Sequence, residues 1–478
     1  MNIRALHWAT PHLEGRLTFD GDVFEMEDQR NWTDASFKTY STPLSRPFPV
    51  LVRRGDGIDQ TVVLTCDRRA EAAELFPPPQ AAVPFDAGQP AFMTFPEMAV
   101  GAATGPEVPS TATTSASGGT GPAVLVELDL SAANWRRALN RAATEAAGAP
   151  LDVRLITMSP ESIQAAVRAL SGYDVIRLGV FDARTHVSEP QLWSALRAEL
   201  SARGMSAEPV LGTRAHFTEL NRNSERLADP DNAESAITFS VTPQMHDRSR
   251  SQLIESIPMQ RLVAEQTHRL APSSRIHIGP ITLRPRFNAV ATSTSVADAH
   301  PDITRGYGPQ WVPDVNDPRQ VSTGIAAWLL GSATALSVPG VASLTYFETA
   351  GPRGLRAADG SESYPAATVF DWLRDIQGWQ VVAASVTPGQ PTVLVARSSA
   401  ALTVLSANME STPGTVLVDM ANAPTMTEWT PIGGPVCEPA TTGRTLTVTV
   451  PPAGAIRWRG RTMDNVTRSA TIESPARQ

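Results

Sequence analysis

Between about residues 94 and 379 the chain alternates short apolar runs with stretches of helical spacing, and this alternation restricts the fold more than any other feature. Strand candidates fall at 97–101, 124–130, 153–158, 175–180, 209–213, 237–241, 276–281 and 342–347. Runs rich in Val, Ile and Leu suit parallel strands buried on both faces. Helix signals lie between them. Ser159, Pro160 and Glu161 read as a cap, a first-turn proline and an early acid, and Ile163, Ala166, Val167 and Leu170 follow at one-face spacing. Asp317 and Pro318 open another helix the same way, and Ala366, Val369, Phe370 and Leu373 repeat the spacing in the last one. Trp328 lies on an Ala/Leu helix face and reads as core. Eight strands with helical crossovers predict a closed (β/α)8 TIM barrel. The first run, at 97–101, carries the weakest pattern; without it the sheet opens or takes another closing strand.

The flanks lose this alternation. Residues 1–93 hold short extended runs at 6–8, 16–19, 23–26, 50–53 and 60–65, separated by Asp20-Gly21 and by Gly55, Asp56 and Gly57, which is turn chemistry. Strands without intervening helices predict an N-terminal β domain. Residues 101–121 are a Gly/Ser/Thr/Pro/Ala stretch that reads as a flexible loop. From about 381 the period changes to two, with strands expected at 393–396, 402–406, 415–418 and 445–450. The expected architecture is a multidomain α/β chain. A central barrel at 94–379 is flanked by a partial β domain at 1–93 and a C-terminal β-sandwich at 380–462, with a disordered polar tail at 463–478.

Composition excludes several classes. A hydrophobic content of 42% against 18% charged residues allows a large core and argues against disorder. The net charge of -8, with no basic run, disfavours nucleic acid and anionic membranes as partners. Two distant cysteines, Cys66 and Cys437, make neither a disulfide framework nor a zinc pattern. The N-terminus lacks the apolar core of a signal peptide, and no run approaches a membrane span, so a cytoplasmic setting is expected. No Gly-x-Ser-x-Gly elbow, P-loop or dinucleotide glycine pattern occurs, and neither a cofactor nor a metal is expected. Oligomeric state stays open, a homo-oligomer included.

In a TIM barrel the loops after the strands form the site. The fifth candidate strand is followed by Arg214, His216, Glu219, Asn221 and Arg222, and the sixth by Gln244, His246 and Asp247. The seventh is followed by Thr282, Arg284, Arg286 and Asn288, and the eighth by Tyr346, Glu348, Thr349 and Arg353. Each has a plainer reading. His246 can be a satisfied rim histidine, Arg284 and Arg286 can hold Glu219 or Glu348 in a structural ion pair, and His216 reads as a supporting residue. His186, beyond Phe181 and Asp182, can also reach the rim. Residues 24–40 mix both charge signs with aromatics and show no period. They read as a hydrogen-bonded clamp onto the next domain, or as a source of Asp28, Arg30, Asn31 or Lys38 for a sugar-like ligand.

The segment at 27–40 (EDQRNWTDASFKTY) resembles a motif of the D-apionate lactonase family. The segments at 218–222 (TELNR), 282–288 (TLRPRFN) and 346–349 (YFET) resemble further motifs of that family, in the same order. The resemblance implies an N-terminal β domain, a TIM-like barrel and a C-terminal β domain. It also implies a longer N-terminal domain than this chain carries, so the chain is expected to begin part-way through it. The implied reaction is that of a carboxylic-ester hydrolase, opening D-apionolactone to D-apionate. For that reaction Glu219 or Glu348 is the candidate general base, His246 the donor to the leaving ring oxygen and Arg284 the oxyanion stabiliser. Asn221, Gln244 and Tyr346 are candidate hydroxyl binders, with Arg222, Asn31 and Lys38 as further substrate contacts. Glu219 and Glu348 sit three strands apart, as the paired carboxylates of clan A glycoside hydrolases do, so cleavage of a small glycoside is the rival reaction. A sugar-binding relative without turnover is the rival from another class.

Overall fold

The structure is a computed structural model. It describes the chain except residues 1, 10–12, 37, 44, 48, 69–79, 84–89, 110–120, 228–231, 233–234, 290–300, 309–314, 420–425, 435–439, 443–444 and 462–478. Cys437, the tail at 463–478 and most of the 101–121 stretch lie outside the described residues.

The eight expected strands close into one parallel barrel: Glu97–Gly101, Val124–Asp129, Leu151–Thr157, Val175–Asp182, Glu208–Gly212, Ala236–Val241, Ile276–Ile281 and Val341–Glu348. The first strand pairs with both the second and the eighth, so the weakest pattern still supplies the closing strand. Helix Pro160–Leu170 buries Ile163, Ala166, Val167 and Leu170 against the barrel. Ser159 stands at its N-cap position, yet its hydroxyl turns to Glu161 at 2.5 Å instead of capping a backbone N–H. Helix Pro365–Asp375 buries Ala366, Val369, Phe370 and Leu373 in the same manner. Trp328, on helix Thr323–Ala335, is core, and its indole donates to the Leu253 carbonyl at 2.9 Å.

Ion pairs fill the barrel axis near the N-terminal ends of the strands. Arg177 on the fourth strand reaches Asp152 on the third at 2.8 Å and Glu97 on the first at 2.9 Å. The first and fourth strands are not neighbours, so this pair crosses the interior. His277 lies between Ser343 at 2.7 Å and Glu208 at 3.1 Å. These contacts lie at the end of the barrel opposite the loops that follow the strands.

A six-stranded and a four-stranded sheet form the C-terminal β-sandwich around Val393, Val395, Leu402, Val404, Val416, Val418, Val448 and Val450. Its boundary differs from the expected one. Gln80–Val83 pairs with Gly414–Asp419, and Met93–Thr94 pairs with Gln380–Ser385, so chain leading into the barrel completes both sheets. The N-terminal strands Ala5–Ala9, Leu13–Asp20 and Thr61–Arg68 make a separate three-stranded sheet. Residues 50–53 are not a strand; they run exposed into a turn that Asp56 closes by accepting from Arg53 N at 2.7 Å. Among the described residues no helix is long and apolar enough to cross a membrane.

Candidate active site

Two glycines shape the C-terminal mouth of the barrel. Gly212 ends the fifth strand at φ 128°, where a Cβ would meet the Thr238 carbonyl oxygen at 2.3 Å. The chain turns there and sends Arg214 into the mouth. Gly101 ends the first strand against the eighth, where a Cβ would lie 2.9 Å from the Phe347 carbonyl oxygen. Phe347 itself has φ 55°, and the strand register shifts between Thr345 and Glu348. This irregularity at the strand end re-aims the last side chain. Glu348 therefore faces the mouth.

Glu348 accepts from the Thr104 hydroxyl at 2.7 Å and from Thr104 N at 3.3 Å, and Arg353 lies 2.9 Å away. Beside it, Glu127 on the second strand binds Arg214 at 3.0 and 3.1 Å and also Arg286. Arg286 donates further to the Arg214 carbonyl at 2.8 Å. Burial alone would raise the Glu127 pKa, but the charges of Arg214 and Arg286 outweigh it and bring the value down to about 2. Phe287 covers this cluster, with the Arg214 guanidinium 4.0 Å above its ring and His186 4.6 Å from it. Burial, then Arg214, lowers His186 to about 4, and burial, then Arg286, lowers His216 to about 3; both are neutral imidazoles at pH 7.

Glu127, Arg286, Glu348, Thr104 and Tyr307 share one recess of about 360 Å³, counted out to solvent.

The segment at 27–40 docks on the same rim, as the clamp reading expects. Arg30 pairs with Asp28 and reaches Gln266 at 3.3 Å, while Thr33 accepts from Thr242 N at 3.2 Å. The Asn31 carbonyl accepts from the Thr218 hydroxyl. Trp32 lies between two histidines, its ring 5.7 Å from His216 and 5.5 Å from His246. Asp34 meets His246 Nδ1 at 2.9 Å. Burial raises the Asp34 pKa above the usual carboxylate range, and His246 pulls it partly back.

The structure separates several candidates that sequence put together. Glu219, on the short helix Phe217–Arg222, pairs with Arg222 at 2.8 Å and does not line the recess; the Arg222 side chain is exposed. Asn221 is half-buried on the same helix. Glu219 and Glu348 do not share this recess; Glu127 and Glu348 do. Gln244 is buried, donates to Asp317 at 2.8 Å and accepts from Arg319 at 2.6 Å. Arg284 lies 3.4 Å from the same Asp317, so Arg286 rather than Arg284 lines the recess. Tyr346 lies in the barrel wall. It is 0% exposed, packs on Trp328 and donates to Ser332 at 2.8 Å, so its hydroxyl is spent in the barrel wall. Lys38 is half-buried and 3.8 Å from Glu27. Among the described residues no three of His, Cys, Asp and Glu come together as a metal site.

Sequence reasoning missed Glu127 and Asp34. Glu127 carried a usable signal, a lone acid inside the apolar run 124–128, since a buried acid needs a cation.

Residues 1–69 match the model of the D-apionate lactonase N-terminal domain, and residues 107–378 match that of the D-apionate lactonase TIM barrel domain. The D-apionate lactonase of Brucella anthropi is 42% identical over 73 residues, which is 15% of this chain and 12% of that protein. A family 51 arabinofuranosidase from Xanthomonas axonopodis pv. citri superposes with a TM-score of 0.53 at 9% identity, over 80% of this chain and 99% of that one. A family 30 endoxylanase from Clostridium papyrosolvens C71 gives 0.51 at 11% identity over the same shares, 80% and 99%. Likeness at such identity speaks to fold alone.

Proposed function

Because the chain belongs to the D-apionate lactonase family, we propose that it is a hydrolase that opens a sugar-acid lactone, D-apionolactone being the favoured substrate. The observation that carries this reading is a recess at the barrel mouth onto which a carboxylate, Glu348, and a guanidinium, Arg286, both open. Water attacks the lactone carbonyl carbon while Glu348 takes its proton. Electrons of the carbonyl bond move onto oxygen, and Arg286 stabilises the oxyanion with donors not used on Glu127 and the Arg214 carbonyl. The intermediate collapses, the ring carbon–oxygen bond breaks, and the departing oxygen takes a proton, for which His246, on the same rim but outside the lining of the recess, is the candidate donor. The hydroxy acid leaves as its carboxylate, and its proton and that on Glu348 pass to solvent and His246. A lactone is an activated ester, so this acid–base help suffices without a serine nucleophile.

The glycosidase alternative needs a protonated carboxyl to serve the leaving oxygen. Glu127 is held ionised between two guanidiniums and does not fill that role. The test is an assay of acid release from D-apionolactone beside chromogenic aglycone release from small glycosides. Acid release alone supports the lactonase reading, and aglycone release without lactone opening reverses it. Tight sugar binding with neither reaction points to a non-catalytic relative.

A further inference from the structure

We propose that Asp34, supplied by the N-terminal segment, is a positioning residue that fixes the tautomer and orientation of His246 for proton transfer at the barrel rim. The proposal rests on the lactonase reading for what His246 does, but not for how His246 is held. Four observations carry it. The Asp34 side chain is 1% exposed while that of His246 is 28% exposed, so the carboxylate is a buried anchor and the imidazole keeps an open side. Their contact, Oδ2 to Nδ1 at 2.9 Å, commits Nδ1 to the anchor and leaves Nε2 for exchange. The other Asp34 oxygen, Oδ1, is buried with no hydrogen-bond partner among the described residues. Burial disfavours the carboxylate form, and His246, the Ser36 backbone N–H and the Lys38 charge favour it, so the anchor is held on more than one side. Finally, Trp32 stands edge-on to the same imidazole at 88°, and its own indole is fixed by donating to Glu27 at 2.7 Å.

The same short segment thus sets the ring twice, once through Nδ1 and once through its edge. The segment is in turn tied to the barrel through Thr33, whose hydroxyl donates to the Thr242 carbonyl at 3.3 Å. Docking of the N-terminal segment therefore completes the site rather than merely covering it. The pairing joins residues 212 positions apart and crosses between the N-terminal segment and the loop after the sixth barrel strand. The other ionisable groups near the pair are Lys38, acting on Asp34, and His216 across Trp32. Asp247 adjoins His246 and is occupied by Ser249, with Arg319 acting on it.

The test is Asp34→Asn in the full chain, with D-apionolactone as substrate. The amide keeps the shape but neither fixes a proton on Nδ1 nor stabilises the doubly protonated ring that donates from Nε2, a loss that can lower kcat by up to about 10⁴ where Asp serves a working His. We expect kcat to fall by about 10² or more with KM within about threefold. The double variant with His246→Gln should be no slower than His246→Gln alone, since the two act as a unit. A lower melting temperature with unchanged kcat would make Asp34 merely structural and overturn the proposal. Nitrogen NMR of the histidines reads the tautomer directly in wild type and needs no turnover: a proton on Nδ1 of His246 supports the proposal, and one on Nε2 with Nδ1 bare overturns it. Failure of wild type to open the lactone, with the tautomer as expected, would count against the reaction and not against Asp34. If Asp34→Asn does not fold, the wild-type tautomer still decides.

Discussion

Arg286 and Glu127 form a buried ion pair at the mouth of the barrel, although 159 positions separate them in the chain. The second guanidinium, Arg214, arrives from the fifth strand, so three parts of the barrel meet on one carboxylate. Removing that carboxylate leaves two buried cations facing each other. Glu127→Gln should therefore destabilise by about 3–5 kcal/mol, the scale for stranding a buried charge. Urea denaturation checks this, and a loss below about 1 kcal/mol would show that the cluster relaxes into solvent.

Arg286→Lys keeps the charge but loses the planar fork that serves Glu127, the Arg214 carbonyl and the recess at once. Its kcat on D-apionolactone should fall by about 10² with KM little changed, as for loss of one oxyanion donor. Equal loss in Arg284→Lys with Arg286→Lys unaffected would move the oxyanion site to the Asp317 cluster.

Acid should destabilise the fold in two overlapping windows. Burial, then Arg286, holds His216 at about 3 against an ordinary 6.5, so the unfolded chain takes up a proton that the fold refuses. Its contribution is full above about pH 6.5 and is lost as pH falls toward 3, at up to about 1.4 kcal/mol per pH unit. Glu127 is depressed from 4.5 to about 2, and its contribution is present above 4.5 and lost as pH falls toward 2. Stability measured from about pH 7 down to 4 should decline, and His216→Asn should flatten that decline. An unchanged slope in the variant would remove His216 as its source.

Tyr346→Phe tests the role of that hydroxyl. It gives up the bond to Ser332 inside the wall, for about 1 kcal/mol of stability, and touches nothing in the recess. Its kcat and KM should stay within about threefold of wild type on the lactone. A KM raised tenfold would restore it as a substrate contact.

Much of the barrel was legible because parallel strands buried on both faces leave continuous apolar runs, and the helices between them carry one-face spacing. The Ile163 to Leu170 face is the plainest case, each of its four residues ending at 0% exposure. The sandwich boundary was not legible. Gln80–Val83 joins a sheet whose other strands lie more than three hundred positions later, and nothing local encodes that partner. At the site, the loops were found but not the directions of their side chains. Glu219 and Glu348 look alike in sequence, yet one follows a helix turn onto Arg222 and the other a register shift into the recess. Asp34 stayed hidden because 27–40 has no period, and its partner His246 is brought to it only by docking.

The most direct test of the account is the turnover of Glu348→Gln on D-apionolactone, with its melting temperature measured alongside. The carboxylate opens on the recess beside Arg286, so the variant should fold and lose about 10² or more in kcat, the scale of a general base. A folded Glu348→Gln that opens the lactone at the wild-type rate would contradict it.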